Sequence, residues 1–153
     1  MMLQDEVQSL RQVTLFSRVA PSKLKLLAFA SDRLTYRAGE ELFHQGDAGD
    51  AAYVILSGRA DILTDSPNGE IKVAELAYNT IVGEIAILCD ITRTATVRAS
   101  APMEALRIRK DVFLKLIADY PDMAIEIMRV LADRLNRTTT ELTEARSQIK
   151  SVH

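Results

Sequence analysis

The spacing of apolar residues divides this chain into a helical start, a strand-rich middle and a helical end. Residues 1–30 carry apolar residues at helical spacing, and Pro21 suits the first turn of a second helix. Residues 32–109 alternate between apolar and polar in short segments that turn residues separate. Residues 110–150 return to helical spacing, and Pro121 separates a short helix from a long one.

The middle region predicts an antiparallel β-roll. It holds roughly eight alternating segments at nearly regular distances, and Asn68-Gly69 is a strong hairpin signal. Short strands at this spacing, with helices before and after them, indicate a mainly β fold: an eight-stranded antiparallel β-roll or jelly roll with flanking helices. Since 153 residues fit one domain of ordinary size, we expect residues 1–153 to form a single domain.

The long final helix carries a possible association surface. Its apolar and small residues alternate at spacings of three and four, which is the pattern of a heptad seam. The seam consists of Met128, Leu131, Leu135, Thr138, Leu142, Ala145 and Ile149. Thr138 and Ala145 weaken it, but it predicts a parallel homodimer through this helix.

Composition and charge restrict where the protein acts and what it binds. Apolar residues make up 48% and charged residues 26%, and the net charge is −2, so no overall positive field attracts nucleic acid or an anionic membrane. We expect no signal peptide, because Asp5 and Glu6 come early and Arg11 and Arg18 interrupt the apolar residues, and no apolar run approaches the roughly 20 residues that span a bilayer. Cys89 is the single cysteine and is expected to be a small buried apolar residue. We therefore expect a cytoplasmic protein that does not enter a membrane.

Catalytic and metal-binding chemistry is not indicated by the sequence. The two histidines, His44 and His153, lie far apart, so no metal cluster can be drawn. This argues against a cupin enzyme, which has a similar barrel, and no nucleophile–base pair or pair of acids is evident. We expect a protein that is not an enzyme and has no cofactor or metal.

The most informative chemistry lies in residues 83–97. Glu84 follows Gly83 and is either a carboxylate at a helix start or an acceptor for a sugar hydroxyl. Arg93, among small residues, is either a solvated surface charge or a guanidinium that binds a phosphate through two hydrogen bonds. A carboxylate that accepts hydrogen bonds and a guanidinium that donates them to an anion, on either side of a short helix, suit a nucleotide.

These residues resemble the phosphate-binding cassette of the cyclic nucleotide-binding domain family. The matching parts are Gly83-Glu84 and Arg93-Thr94-Ala95-Thr96-Val97. Glycines at positions 39, 46 and 58, with their neighbouring residues, also match the family pattern. The family includes the sensor domain of the bacterial catabolite activator protein and the regulatory domains of cyclic-nucleotide-dependent kinases and channels. The resemblance covers about residues 12–135 and implies an eight-stranded roll with a short cassette helix.

The resemblance also implies roles for individual residues. Glu84 would accept a hydrogen bond from the ribose 2′-hydroxyl, and Arg93 would pair with the cyclic phosphate. The backbone N–H groups of Ile85, Ala86 and Ala95 would help to hold that phosphate. The residues implied as ligand-binding are Gly83, Glu84, Ile85, Ala86, Arg93, Thr94 and Ala95.

The sequence does not determine which purine base the ligand carries. The resemblance implies that the long C-terminal helix closes over the base as a lid, with Leu131 and Leu135 as candidates for the contact. A threonine at the position of Thr94 accompanies cGMP binding in some relatives, although others respond to cAMP. Thr94 is equally explained as a β-forming residue. The expected ligand is a cyclic purine mononucleotide, cAMP or cGMP.

The resulting hypothesis is an intracellular cyclic nucleotide sensor that signals through movement of its C-terminal helix. A first alternative is a Crp/Fnr-type transcription regulator or its excised sensor domain. The tail from Arg137 shows neither a helix-turn-helix nor a basic stripe, so direct nucleic acid binding is not expected. A second alternative is a ligand-free, dimerising interaction module.

Overall fold

The computed structural model describes the backbone of residues 3–152 and the side chains of residues 5–133 and 135–147. The helices within this part are α1 (Leu3–Gln12), α2 (Pro21–Phe29), α3 (Glu84–Leu88), α4 (Lys110–Asp119) and α5 (Pro121–Val152), with a 3₁₀ turn at Thr14–Phe16. The strands are β1 (Asp32–Tyr36), β2 (Glu41–Phe43), β3 (Ala51–Ser57), β4 (Ala60–Ser66), β5 (Gly69–Leu76), β6 (Ile81–Val82), β7 (Thr96–Ala99) and β8 (Met103–Arg109).

The strands form two antiparallel four-stranded sheets, in the orders β1-β8-β3-β6 and β2-β7-β4-β5. This arrangement confirms the predicted β-roll with flanking helices. Pro21 begins α2 as predicted, and Pro121 separates the short helix α4 from the long helix α5, which it begins. The assignment of residues 1–153 to a single domain stays a prediction.

An apolar core fills the space between the two sheets. Tyr53 and Ile55 project into it from β3, while Met103 and Ala105 project from β8 and Val97 comes from β7. Each of these side chains is at most 5% exposed. Alternate residues of a strand point to the same face, so β3 and β8 contribute every second residue to this core.

A second core lies between the outer face of the β3–β8 sheet and the helices. Val54 and Leu106 point outwards from neighbouring strands and are directly paired in the sheet register. The helices cover them, with Phe16 and Phe113 fully buried in the same cluster. Because β3 is covered on both faces, its residues form a nearly continuous apolar run rather than a strict alternation.

The first helix is connected to this sheet by a half-buried ionic contact. Arg33 on β1 donates hydrogen bonds to Glu6 on α1 and to Glu104 on β8. The paired carboxylates raise the pKa of Arg33, Glu104 most strongly, so the guanidinium stays charged.

Within residues 3–152, no helix combines the length and the apolar character that a membrane span needs.

Candidate functional site

A glycine in the left-handed region connects β6 to α3. Gly83 has φ 89° and ψ 0°, and Glu84 begins the five-residue helix directly after it. A Cβ atom at Gly83 would lie 2.7 Å from Nη1 of Arg93 and 3.2 Å from the Ala51 carbonyl oxygen. Both the backbone angle and this close approach therefore require glycine here.

Arg93 is a buried cation held by backbone carbonyl groups. Its Nη1 donates to the Gly83 carbonyl at 2.7 Å, and its Nη2 donates to the Ala51 carbonyl at 2.5 Å. The guanidinium carbon lies 4.0 Å from the centre of the Phe43 ring, within the range of a cation–π contact. The Asp50 carboxylate is 3.7 Å from Nη2. These contacts fix the guanidinium plane before any ligand binds.

The burial of Arg93 leaves part of its hydrogen-bonding capacity unused. The residue is 3% exposed, and its Nε is buried without a hydrogen-bond partner. Burial lowers the pKa of Arg93, but a guanidinium titrates so far above neutral pH that it stays protonated. A buried donor without an acceptor is costly, so an acceptor beside Nε would stabilise this side chain.

The backbone of Arg93 is clamped by the loop that follows β2. The Arg93 N–H donates to the Asp47 carbonyl at 2.8 Å, and the Gly46 N–H donates to the Arg93 carbonyl at 2.9 Å. The same loop packs on α3, because a Cβ at Gly49 would lie 2.5 Å from Cβ of Ala86. The loop therefore holds the arginine and the cassette helix in a fixed relation.

A cavity of about 540 Å³ opens beside these groups. This volume lies within the range of about 300–1,000 Å³ that is usual for small-molecule sites. The residues named from the sequence that line it are Gly83, Glu84, Ile85, Ala86, Arg93, Thr94 and Ala95. The tertiary structure thus brings all seven to one cavity.

The cavity is lined by several kinds of polar group. Glu84 is 5% exposed and lies in the first turn of α3. The N–H groups of Ile85 and Ala86 belong to the same turn, where a helix supplies no internal acceptors. Thr94 is exposed at the edge of the cavity. A ligand here would meet a carboxylate, a guanidinium and backbone donors within one space.

The two leucines suggested for the base lid lie elsewhere. Leu131 packs against the helical core, and Leu135 is 67% exposed, and neither lines the cavity. Among the α5 residues whose side chains the structure describes, Arg137 lines the cavity. The reason is geometric: Leu131 is engaged by the core, and the next turns of the helix direct Arg137, rather than Leu135, towards the roll.

Several contributing residues escaped the sequence analysis. Phe43 and Ala51 look like ordinary strand residues, and nothing in the sequence distinguishes Arg137 from other exposed arginines.

The expected burial of Cys89 is wrong: it is exposed, because it follows the last residue of the short helix α3. Among the described residues, no cluster of His, Cys, Asp and Glu could hold a metal ion.

Comparisons with known proteins agree with this geometry. The sensor domain of the transcriptional regulator DNR from Pseudomonas aeruginosa superposes with a TM-score of 0.80 at 25% identity, over 91% of this chain and 94% of that one. The catabolite activator protein of Thermus thermophilus superposes with a TM-score of 0.77 at 31% identity, over 84% of this chain and 61% of that one.

A curated relative is much longer than this chain. The lysophospholipase nte1 of Neosartorya fischeri is 30% identical over 139 residues, which are 88% of this chain and 9% of that protein. The chain thus spans less than a tenth of the relative's length. The profile described as "Cyclic nucleotide-binding domain" matches residues 33–120, which is more than half of the chain. The chain therefore belongs to the cyclic nucleotide-binding domain family.

Proposed function

We propose that this domain binds cAMP or cGMP in the cavity beside α3 and acts as a non-catalytic sensor. The observation that carries the proposal is Arg93, a buried guanidinium at the cavity wall with an unpartnered Nε. A cyclic phosphate next to it would supply the missing acceptor and compensate a buried charge. Such charge-assisted hydrogen bonds contribute about 1.5–3 kcal/mol each.

The ribose and the phosphate of the ligand contact residues of the same cavity wall. The Glu84 carboxylate accepts a hydrogen bond from the ribose 2′-hydroxyl, and the N–H groups of Ile85, Ala86 and Ala95 donate to the phosphate. The first turn of α3 adds the positive end of a helix, although a short one. Phosphate and ribose are therefore recognised by groups of opposite charge, which sets the orientation of the nucleotide.

The base reaches the outer part of the cavity, near Thr94 and Arg137. Arg137 comes from α5, whereas the phosphate-binding residues come from the roll, so one ligand contacts both parts. A ligand shifts a conformational equilibrium only through such differential contacts. We therefore assign signal output to a movement of α5, with Arg137 in place of Leu131 and Leu135 as the contact to the base.

Calorimetric titration with cAMP and cGMP, side by side, tests the ligand and its base. Arg93→Ala is expected to weaken binding by about 10- to 100-fold, from the loss of one charge-assisted hydrogen bond or more. Arg59→Ala, which removes an exposed arginine that does not line the cavity, is the matched control and should keep the affinity. No heat with either nucleotide, or an equal loss in both variants, contradicts the proposal.

A homodimer is the second proposal, and a specific surface favours it. Met128, Leu135 and Leu142 are 60%, 67% and 52% exposed and follow each other at intervals of seven residues on α5. Such a repeat is the seam of a two-helix coiled coil. Sedimentation at micromolar concentration should show a dimer that Leu135→Glu dissociates; a monomeric wild-type chain contradicts it. The cytoplasmic location and the lack of direct DNA binding stay predictions.

A further inference from the structure

A second concave surface lies between α2 and α4 and shares no residue with the nucleotide cavity. We call it the α2–α4 groove, and its volume is about 290 Å³. Both helices present positions i, i+3, i+4 and i+7 to it, so each contributes one continuous helical face. Its lining residues are Lys23, Leu26, Leu27, Ala30, Val112, Lys115, Leu116 and Asp119.

The floor of the groove is apolar and its outer rim exposes large apolar side chains. Leu27 and Leu116 are buried at the bottom, whereas Leu26 is 60% exposed. Phe29, one turn beyond Leu26 along α2 and outside the lining, is 82% exposed. α2 already packs on the core through Leu24 and Leu27, so these outer residues are not needed for its attachment. Adjoining exposed apolar residues beside a groove are typical of interaction surfaces.

The charged residues that line the groove indicate which kind of partner it binds. Lys23 and Lys115 approach it from opposite helices, and neither has an ion pair within the part of the chain that the structure describes. The whole chain has a net charge of −2, so this positive pair is a local feature. Asp119 is the one acidic residue in the lining. Two unpaired lysines around an apolar floor complement a partner that carries both apolar and acidic residues.

The shape favours a helix over other partners. The groove has a volume of about 290 Å³ and an apolar floor between two helices. A channel between two helices accepts the apolar face of a third helix, read at i, i+3, i+4 and i+7. An anionic membrane is less suited, because a flat lipid surface does not fill a groove between two helices, whereas the convex face of a helix does.

We propose that the α2–α4 groove docks an acidic amphipathic helix of a partner protein. The apolar face of that helix packs on Leu26 and Phe29, and its flanking Asp or Glu residues pair with Lys23 and Lys115. The proposal does not depend on cyclic nucleotide binding, since the two sites are separate.

Selection from a displayed library of random peptides of about 16 residues, long enough for four helical turns, tests the proposal. The bait is the full chain, with counter-selection against Leu26→Glu, an exposed position whose change should leave the circular dichroism unaltered. We expect enriched peptides with apolar residues at i and i+3 or i+4, flanked by Asp or Glu. No enrichment, or enrichment of basic or unpatterned peptides, overturns the proposal.

Charge reversal then separates docking from a structural effect. An enriched peptide should bind the Lys23→Glu/Lys115→Glu variant at least about tenfold more weakly in fluorescence anisotropy. A peptide with its acidic residues changed to Lys should regain binding to that variant, and Arg59→Glu is the remote control. Unchanged binding to the double variant overturns the proposal. So does lysine-dependent binding to phosphatidylcholine–phosphatidylglycerol vesicles without peptide binding.

Discussion

Replacing Gly83 with alanine tests whether the position of the Arg93 guanidinium controls ligand binding. The new methyl group would lie 2.7 Å from Nη1 of Arg93 and 3.2 Å from Cε2 of Phe43. The end of an arginine side chain can move, so the fold should survive. The guanidinium would leave its place between the Gly83 and Ala51 carbonyls and present a different geometry to the phosphate.

The effect on stability is estimated from the backbone. At φ +89°, an L-residue in the left-handed region costs about 1–2 kcal/mol in the free energy of unfolding. For a chain of this size, that lowers the Tm by about 2–8 °C. Gly69→Ala is the matched control, because Gly69 has φ +106° and its Cβ would meet no atom within 4 Å. Both variants should lose this backbone part of the stability, and Gly83→Ala should lose more in total, because the displaced guanidinium also gives up its hydrogen bonds to two buried carbonyls.

Only the Gly83 variant should lose affinity. Loss of one charge-assisted hydrogen bond to the phosphate costs about 1.5–3 kcal/mol, or about 10- to 100-fold in Kd. Urea unfolding measures the stability of both variants, and calorimetric titration with the better nucleotide measures Kd. If Gly83→Ala binds like Gly69→Ala, the placement of the guanidinium by Gly83 has no influence on binding, and the reasoning fails.

Two further predictions concern the stability of the fold. The hydrogen bond to Glu41 raises the pKa of His44 above 6.5. The contribution of protonated His44 to the free energy of unfolding is therefore complete below pH 6.5, and it is lost as the pH rises through the raised pKa. Urea unfolding between pH 5.5 and 8.5 should show this loss in the wild type and a smaller one in His44→Gln; equal slopes would contradict it. Phe113 is fully buried, so Phe113→Ala should cost about 3–5 kcal/mol in the same assay, and a cost below about 1 kcal/mol would show that the site collapses around the cavity.

Much of the fold could be predicted because its signals are local. Pro21 and Pro121 start helices through their fixed φ angle, and the hairpin at Asn68-Gly69 joins β4 to β5. The cassette was recognised from its resemblance to the family pattern, whose matching residues, Gly83-Glu84 and Arg93 to Val97, lie close together in the sequence. These features depend on backbone preferences and short spacings, which a single sequence displays.

The surroundings of Arg93 were not predictable in the same way. Its Nη2 bonds to a carbonyl 42 positions earlier, and its guanidinium lies over Phe43 on another strand. A backbone carbonyl has no signature in the sequence, and an aromatic residue on a strand is equally suited to the core. The choice between Leu135 and Arg137 at the cavity likewise depends on how α5 packs, which residue spacing along one helix cannot determine.

The sequence by itself thus determined the order of strands and helices and the residue types available to hold a nucleotide. Only the tertiary structure decided that Arg93 is buried with an unpartnered Nε, and that Arg137 reaches the same cavity. The physical reason is that dihedral preferences and periodicity act between near neighbours. Burial and hydrogen-bond partners instead arise when β-sheet pairing and helix packing bring distant segments together.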